Sequence, residues 1–367
     1  MVKAFSDFSN HVGVSGITDQ NGIVTLQYGA TFIERLYIYS PHTHWGAYRS
    51  NVTVASGTAI QIEIEPVDIS VDDAVRHYYG SSQYDATTSV VVGVLDTGVG
   101  PHNDLNIVDG RNTVTGEPAG DYQDWNRHGT HVAGLIGSDS TPPAGLRGLA
   151  PGVALRAYRV FGNGKKATNY AIMKARIHAA ADGCEILNLS LGGGPYDQII
   201  AESIQDARDH GMLVIIAAGN DSRKPVNYSA AYTDATAISA MGRDGTFPQG
   251  SVYDADILKP PNSTTNPREY IADFSNVGPQ IAISAPGSGV LSTLPNNEHG
   301  PMSGTSMAAP VASGAAACLL SRDQMIFNMP KNRARSDAIE QLLQSNCTTR
   351  GFGSIYEGYG LPDPANV

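Results

Sequence analysis

Four polar residues stand where apolar runs end, and their types suit acyl chemistry. Asp96 closes the run Ser89-Val-Val-Val-Gly-Val-Leu95 and is followed by Thr97 and Gly98. An aspartate at the end of a buried strand, with glycine two residues on, sits at the edge of a sheet where the backbone can turn away. Alone, this reads equally as a turn; a second Asp-Thr-Gly would suggest a two-carboxylate protease, and the chain has one. His128 lies in Arg127-His-Gly-Thr-His-Val-Ala-Gly134. A histidine before glycine at a helix start can present its ring at the strand ends, because small residues let the helix lie close to the sheet. Asn220 ends Ala217-Ala-Gly-Asn220; it reads as a turn residue, or as an amide donor to a developing oxyanion. Ser306, in Gly304-Thr-Ser-Met-Ala-Ala-Pro310, precedes a small-residue run. Its hydroxyl would share a helix N-terminus with unpaired N–H groups, or would be a plain cap.

The elements that must position these residues alternate in type. From Ile69 onward, β-branched runs (89–95, 154–160, 185–190, 213–217, 236–240) are separated by helical segments at 170–181 and 199–210, with a short helix at 71–79. This order predicts an α/β fold, a mostly parallel sheet covered on both faces, with ligands at the carboxyl ends of the strands. Residues 1–68 differ. Gly22-Ile-Val-Thr-Leu-Gln-Tyr28, Arg35-Leu-Tyr-Ile-Tyr39 and Ile60-Gln-Ile-Glu-Ile64 alternate with period two between turn residues, predicting a small all-β accessory module before a domain at 69–367. The polar stretch 243–272 reads as an inserted loop.

Composition bounds the partners. With a formal net charge of -11 and no dense basic patch, nucleic acid and anionic membrane are not expected to bind. The basic run 331–335 reads as a solvated helix face or turn. No stretch approaches the roughly 20 apolar residues that span a bilayer. Cys184, Cys318 and Cys347 are too few and scattered for a disulfide framework or zinc site, and the first two read as buried thiols. The HxH pair His42 and His44 would put both rings on one side of a strand, with no third metal ligand nearby. The HxxH pair His128 and His131 lacks an acidic partner, so His131 reads as a packing histidine and no metal site is expected. No basic start followed by an apolar run opens the chain; it would work in the cytoplasm as read, or be secreted if cut from a longer precursor.

Taken in order, the segments around Asp96, His128, Asn220 and Ser306 resemble the motifs of the subtilase family. Asn188-Leu-Ser-Leu-Gly-Gly193, Ser275-Asn-Val-Gly278, Ala285-Pro-Gly287 and Gly358-Tyr-Gly-Leu361 resemble further family segments, so the likeness runs from about 72 to 365. It implies a subtilisin-like three-layer fold and a serine endopeptidase acting on polypeptides as a monomer. It further implies a triad of Asp96, His128 and Ser306, with Asn220 completing the oxyanion hole. Substrate would lie extended against Ser190, Leu191, Gly192 and Gly193 and against Ala217, Ala218 and Gly219, and the loop 221–228 would shape the main specificity pocket. Arg223 and Lys224 in that loop read as solvated. The chain departs from the family after the nucleophile, at Ala309-Pro-Val-Ala-Ser-Gly314, and in 138–147, which lacks an Asn-rich calcium-binding stretch. No cofactor is required for the chemistry and structural calcium is not expected there. The alternatives are a subtilase-type peptide ligase or macrocyclase, should 243–272 form a water-excluding cap, and a non-catalytic peptide-binding pseudoprotease.

Overall fold

The computed structural model describes residues 1–80, 89–164 and 166–365. Its first sheet is antiparallel, in the order β2-β1-β3-β4, from β1 (Val2–Asp7), β2 (Val12–Gly16), β3 (Phe32–Ile38) and β4 (Ala47–Thr53). The expected strand at 35–39 is part of β3. Those at 22–28 and 60–64 are extended but carry no ladder. Their period two encodes burial rather than pairing: Val24, Leu26, Tyr28 and Ile62 pack on the core of Val2, Ala4, Ile33 and Leu36, while Ile23 faces solvent. His42 lies in a turn and His44 in an isolated antiparallel bridge with Pro66, rather than both on one strand; the His44 amide N–H donates to the Pro41 carbonyl.

A helix, α1 (Ala74–Tyr79), capped by Asp73, leads towards the second sheet. That sheet runs in the order β11-β10-β9-β8-β5-β7-β6, with one further strand, β12, paired to β10. In chain order, β5 (Val91–Asp96) and β6 (Ile107–Asn112) are followed by α2 (His128–Gly137), β7 (Ala154–Arg159) and α3 (Asn169–Ala181). Next come β8 (Ile186–Leu189), α4 (Gln198–Asp209), β9 (Leu213–Ala217), β10 (Thr236–Arg243), β11 (Glu269–Ile271) and β12 (Ile281–Pro286). All these pairings are parallel except β10 with β11. A hairpin of β13 (Val290–Leu294) and β14 (Glu298–Met302) runs into α5 (Thr305–Arg322), then α6 (Gln324–Phe327) and α7 (Arg333–Ser345).

Two helical layers enclose the sheet. Helices α3 and α4 pack on one face, α2 and α5 on the other. Alternation along β5 sends Val92 and Val94 into the α2/α5 layer and Leu95 into the α3/α4 layer. The same period turns Asp96 towards α2. The chain order reverses at β5, between β7 and β8, so the crevice for a ligand opens at the carboxyl end of β5.

The stretch 243–272 is more ordered than a loop. It contains a 3-10 turn (Val252–Ile257) and β11, with Tyr253, Tyr270 and Ile271 buried. The turn receives the first sheet: the Tyr48 N–H donates to the Gly250 carbonyl, the Val252 N–H to the Gly46 carbonyl, and Trp45 meets Tyr253 edge to face at 5.6 Å. Arg223 is not a solvated loop cation; its guanidinium donates to the carbonyls of Ala272, Ile271 and Pro260, holding this stretch against the loop 221–228. The run 331–335 also departs from a solvated face. Arg335 is buried and donates to the Gly211 and Phe327 carbonyls, and Lys331 pairs with Glu185.

Candidate active site

Asp96 is fully buried at the end of β5, and its Oδ1 lies 2.7 Å from His128 Nδ1. The same oxygen accepts the Thr97 N–H at 2.7 Å, so one carboxylate oxygen serves both groups; Oδ2 is buried without a partner. His128 is the first residue of α2, and Gly129 makes this approach possible. A Cβ at Gly129 would collide with the Gly98 carbonyl and come within 3.0 Å of Asp96 Cβ.

A residue not foreseen from sequence fixes this helix start. Asp124 is buried; its Oδ1 accepts from Thr97 Oγ1 and the Asn126 and Arg127 amides, and its Oδ2 accepts from the Thr130 amide and hydroxyl. Five hydrogen bonds on one carboxylate tie β5's end to the first turn of α2. They also hold Arg127 in the left-handed region at φ 81, a conformation that ordinarily disfavours a side chain. The sequence signal was an Asp close before a helix, but it caps from outside the usual position.

Burial by itself would depress the His128 pKa. The charge of Asp96, its hydrogen bond and the charge of Asp124 outweigh that and leave it above the ordinary imidazole value. His131, one turn on, behaves differently. It is buried, and burial followed by the nearby His128 pushes its pKa down to about 3. As a neutral ring its Nε2–H reaches the carbonyls of Gly300 at 3.1 Å and Val290 at 3.2 Å, pinning α2 to the β13–β14 hairpin as a packing histidine.

Ser306 occupies the first turn of α5. Its hydroxyl donates to the Ser190 carbonyl at 3.2 Å and makes no hydrogen bond to His128. In return, Ser190 Oγ donates to the Ser306 carbonyl at 2.8 Å. That carbonyl is available because Pro310, four residues on, has no N–H to complete the helical bond. Asn188 supports the exchange by donating to Ser190 Oγ at 3.0 Å and accepting from Ser313 Oγ at 2.9 Å. Reciprocal bonds therefore join the end of β8 to the start of α5.

Asn220 lies just beyond β9, with its Oδ1 accepting from the Thr305 N–H at 2.9 Å and Thr305 Oγ1 at 3.0 Å. This leaves Nδ2 as the amide's donor, and a Cβ built on Gly304 would lie 3.6 Å from both Nδ2 and the Ser306 backbone nitrogen. The substrate candidates fall into two kinds. Ser190 is buried, Leu191 half-buried, and Gly192 and Gly193 exposed, with the Gly193 N–H donating to the Tyr228 carbonyl. Ala217 and Ala218 are buried and Gly219 is half-buried. The Ala218 N–H and carbonyl pair with Ile238 and Asn227, and those of Gly219 with Thr305 Oγ1 and Asn276. Gly219, at φ 113, packs so tightly on Asn227 and Asn276 that a Cβ has no room. These bonds suit 217–219 to a pocket wall rather than a docking edge.

In 138–147, the exposed Asp139 faces Arg147 at 3.9 Å.

Comparison with known proteins bears on the whole arrangement. The subtilase family profile matches residues 87–361. Subtilisin DY from Bacillus licheniformis is 33% identical over 279 residues, covering 74% of this chain and 88% of its own length. Subtilisin BL from Lederbergia lenta is 32% identical over 274 residues, covering 75% of this chain and 88% of its own length. Among solved structures, a lanthipeptide protease superposes with a TM-score of 0.60 at 22% identity, covering 76% of this chain and 87% of its own. That likeness speaks to the fold alone. The α/β architecture is subtilisin-like and three-layered, with the small antiparallel sheet added at the N-terminal side. Family and relatives together establish polypeptides as substrates and hydrolysis as the reaction. The chain belongs to the subtilase family and is a subtilisin-like serine endopeptidase.

Proposed function

We propose that Asp96, His128 and Ser306 form the catalytic triad and that Asn220 supplies the side-chain donor of the oxyanion hole. The observation that carries this reading is the 2.7 Å contact between the buried Asp96 and His128 Nδ1. With Nδ1 donating to the carboxylate, Nε2 is left as the lone-pair nitrogen. The reading requires the Ser306 hydroxyl to leave the Ser190 carbonyl and turn to that nitrogen when substrate binds, as catalytic hydrogen bonds commonly tighten only then. His128 then takes the Ser306 proton as Oγ attacks the scissile carbonyl, and returns it to the leaving amine. Asp96 holds the tautomer and stabilises the imidazolium. Asn220 Nδ2 and the Ser306 N–H receive the oxyanion, and water completes the second half-reaction.

Substrate lies extended along 190–193, where backbone bonding is indifferent to sequence. Ala217, Ala218 and Gly219 form the adjoining wall. The loop 221–228 shapes the main pocket; Tyr228 packs with Tyr196 and Tyr232 at 5.5 and 4.8 Å, and the preference is apolar or aromatic. Residues 1–68 act as an accessory module to the domain 69–367, the chemistry needs no cofactor, and the protein works as a monomer.

An active-site fluorophosphonate probe tests the triad. Labelling of the native protein at Ser306, and none of Ser306→Ala, is expected. Labelling that persists in Ser306→Ala would place the nucleophile elsewhere. Absence of labelling in a folded native protein would favour a peptide-binding role.

A further inference from the structure

Among the described residues, His102, Asp104 and His299 form a cluster of three side chains that could ligate a metal ion. His102 and Asp104 lie on the loop that follows the Asp96 strand, and His299 lies on β14, four residues before the turn into α5. One ligand atom from each can be chosen so that all three fall within 4.8 Å of one another. His102 Nδ1 is 3.9 Å from Asp104 Oδ2, and His299 Nε2 is 3.7 Å from the same oxygen. Asp104 Oδ2 and His299 Nε2 are both buried and face each other at 3.7 Å, too far for a hydrogen bond, and neither has a closer partner. The His102 side chain is 1% exposed and that of His299 12%.

We propose that His102, Asp104 and His299 form a binding site for one divalent transition-metal ion of the zinc type. Two imidazoles and one carboxylate are a nitrogen-rich set that suits zinc and not calcium, which takes oxygen ligands. Ligands about 2.0–2.1 Å from a tetrahedral ion stand roughly 3.3 Å apart. The two separations to Asp104 therefore have to close by about half an ångström, and the two rings have to close from a separation of up to 4.8 Å, by side-chain rotation. His102 Nε2 lies 3.3 Å from the Glu298 carbonyl, so an N–H there orients the ring and leaves Nδ1 as the lone-pair nitrogen. That nitrogen currently accepts a long contact from the Asp104 N–H at 3.2 Å, which the ion would displace. Burial keeps both rings neutral near pH 7; for His102 the neighbouring His299 adds to it, and for His299 burial outweighs Asp104. Water fills the fourth position. An ion here clamps the loop after Asp96 to the hairpin that delivers Ser306, so it acts on the site's rigidity rather than on the reaction.

Cobalt(II) titration of tag-free, metal-stripped Ser306→Ala protein, which cannot digest itself, tests the proposal. A saturable visible absorption band at one equivalent is expected, abolished by zinc and unaffected by calcium. His299→Gln should weaken binding at least ~10-fold, whereas His44→Gln, in the other histidine pair, should leave it unchanged. The ion should also slow diethylpyrocarbonate modification of His102 and His299, read by peptide mass spectrometry in the unsubstituted site. No saturable band, calcium competing at equal concentration, equal affinity in His299→Gln, or no protection of the two histidines each overturns the assignment.

Discussion

A histidine that begins its cycle as a base has to be neutral, and His128 is held above the ordinary imidazole pKa of 6.5. The base form is therefore lost as pH falls through a value above 6.5, and the acid limb of kcat/KM should have its midpoint there. Asp96→Asn removes the charge that raises it, so any residual activity should show that limb shifted to lower pH. A midpoint below 6.5 in the native enzyme would contradict the electrostatics of the Asp96–His128 pair. Asn220 makes a separate prediction. Its Oδ1 is engaged by Thr305, which leaves Nδ2 as the amide's donor for the proposed oxyanion hole. Asn220→Ala should cost about 10²–10³ in kcat with little change in KM, as the handled charge appears only in the transition state; that range is the one measured for the equivalent subtilisin residue. A rise in KM with kcat intact would make Asn220 a binding residue instead.

The strands and helices carrying these groups were largely legible in advance. Runs such as 91–96 and 213–217 are buried on both faces, so apolar continuity marked them as central strands. Asp96 ends such a run and Ser306 precedes a small-residue one, but singly they read as turn and cap; it was their order with His128 and Asn220 that resembled the subtilase motifs. Asp124 was not legible, since its role depends on a loop folding back so that one carboxylate meets donors from four residues. Ser190 and Pro310 were similarly hidden. Nothing in the sequence connects a missing N–H at 310 with a hydroxyl 120 positions earlier, yet their pairing through the Ser306 carbonyl fixes the turn that carries Ser306. Asp124→Ala should lower stability by roughly 2–3 kcal/mol in denaturant unfolding, a charged acceptor's bonds being worth that much. It should also reduce kcat more than it raises KM, because His128 loses its fixed helix start. Asp124→Asn keeps one acceptor oxygen and should recover part of both. Equal kcat in native and Asp124→Ala enzyme would confine Asp124 to stability alone.

At the scale of the molecule, two cores have to be joined. The first sheet has its own small cluster around Val2, Ala4, Ile33 and Leu36, while Trp45 belongs to the large core of the parallel sheet. Period two at 22–28 and 60–64 told which residues face inward but not whether a partner strand would be present, so those segments read as strands. The stretch 243–272 read as a loop because its order comes from distant groups: Arg223 binding its carbonyls, and Trp45 seated on Tyr253. Trp45 is 3% exposed, so truncation to alanine removes a large buried ring and should cost roughly 3–5 kcal/mol. The loss falls on the junction rather than on the triad, since the backbone bonds of Tyr48 and Val252 remain but lose their apolar cover. Trp45→Ala on a Ser306→Ala background, which prevents self-digestion, should be cleaved by added trypsin within residues 1–68 faster than its parent. The parallel-sheet portion should survive as a resistant fragment. Trp45→Ala with Ser306 intact should still react with the fluorophosphonate. If cleavage in 1–68 is no faster, the two cores are joined by something other than this ring. If reactivity disappears along with the junction, the first sheet supports the site itself rather than standing beside it.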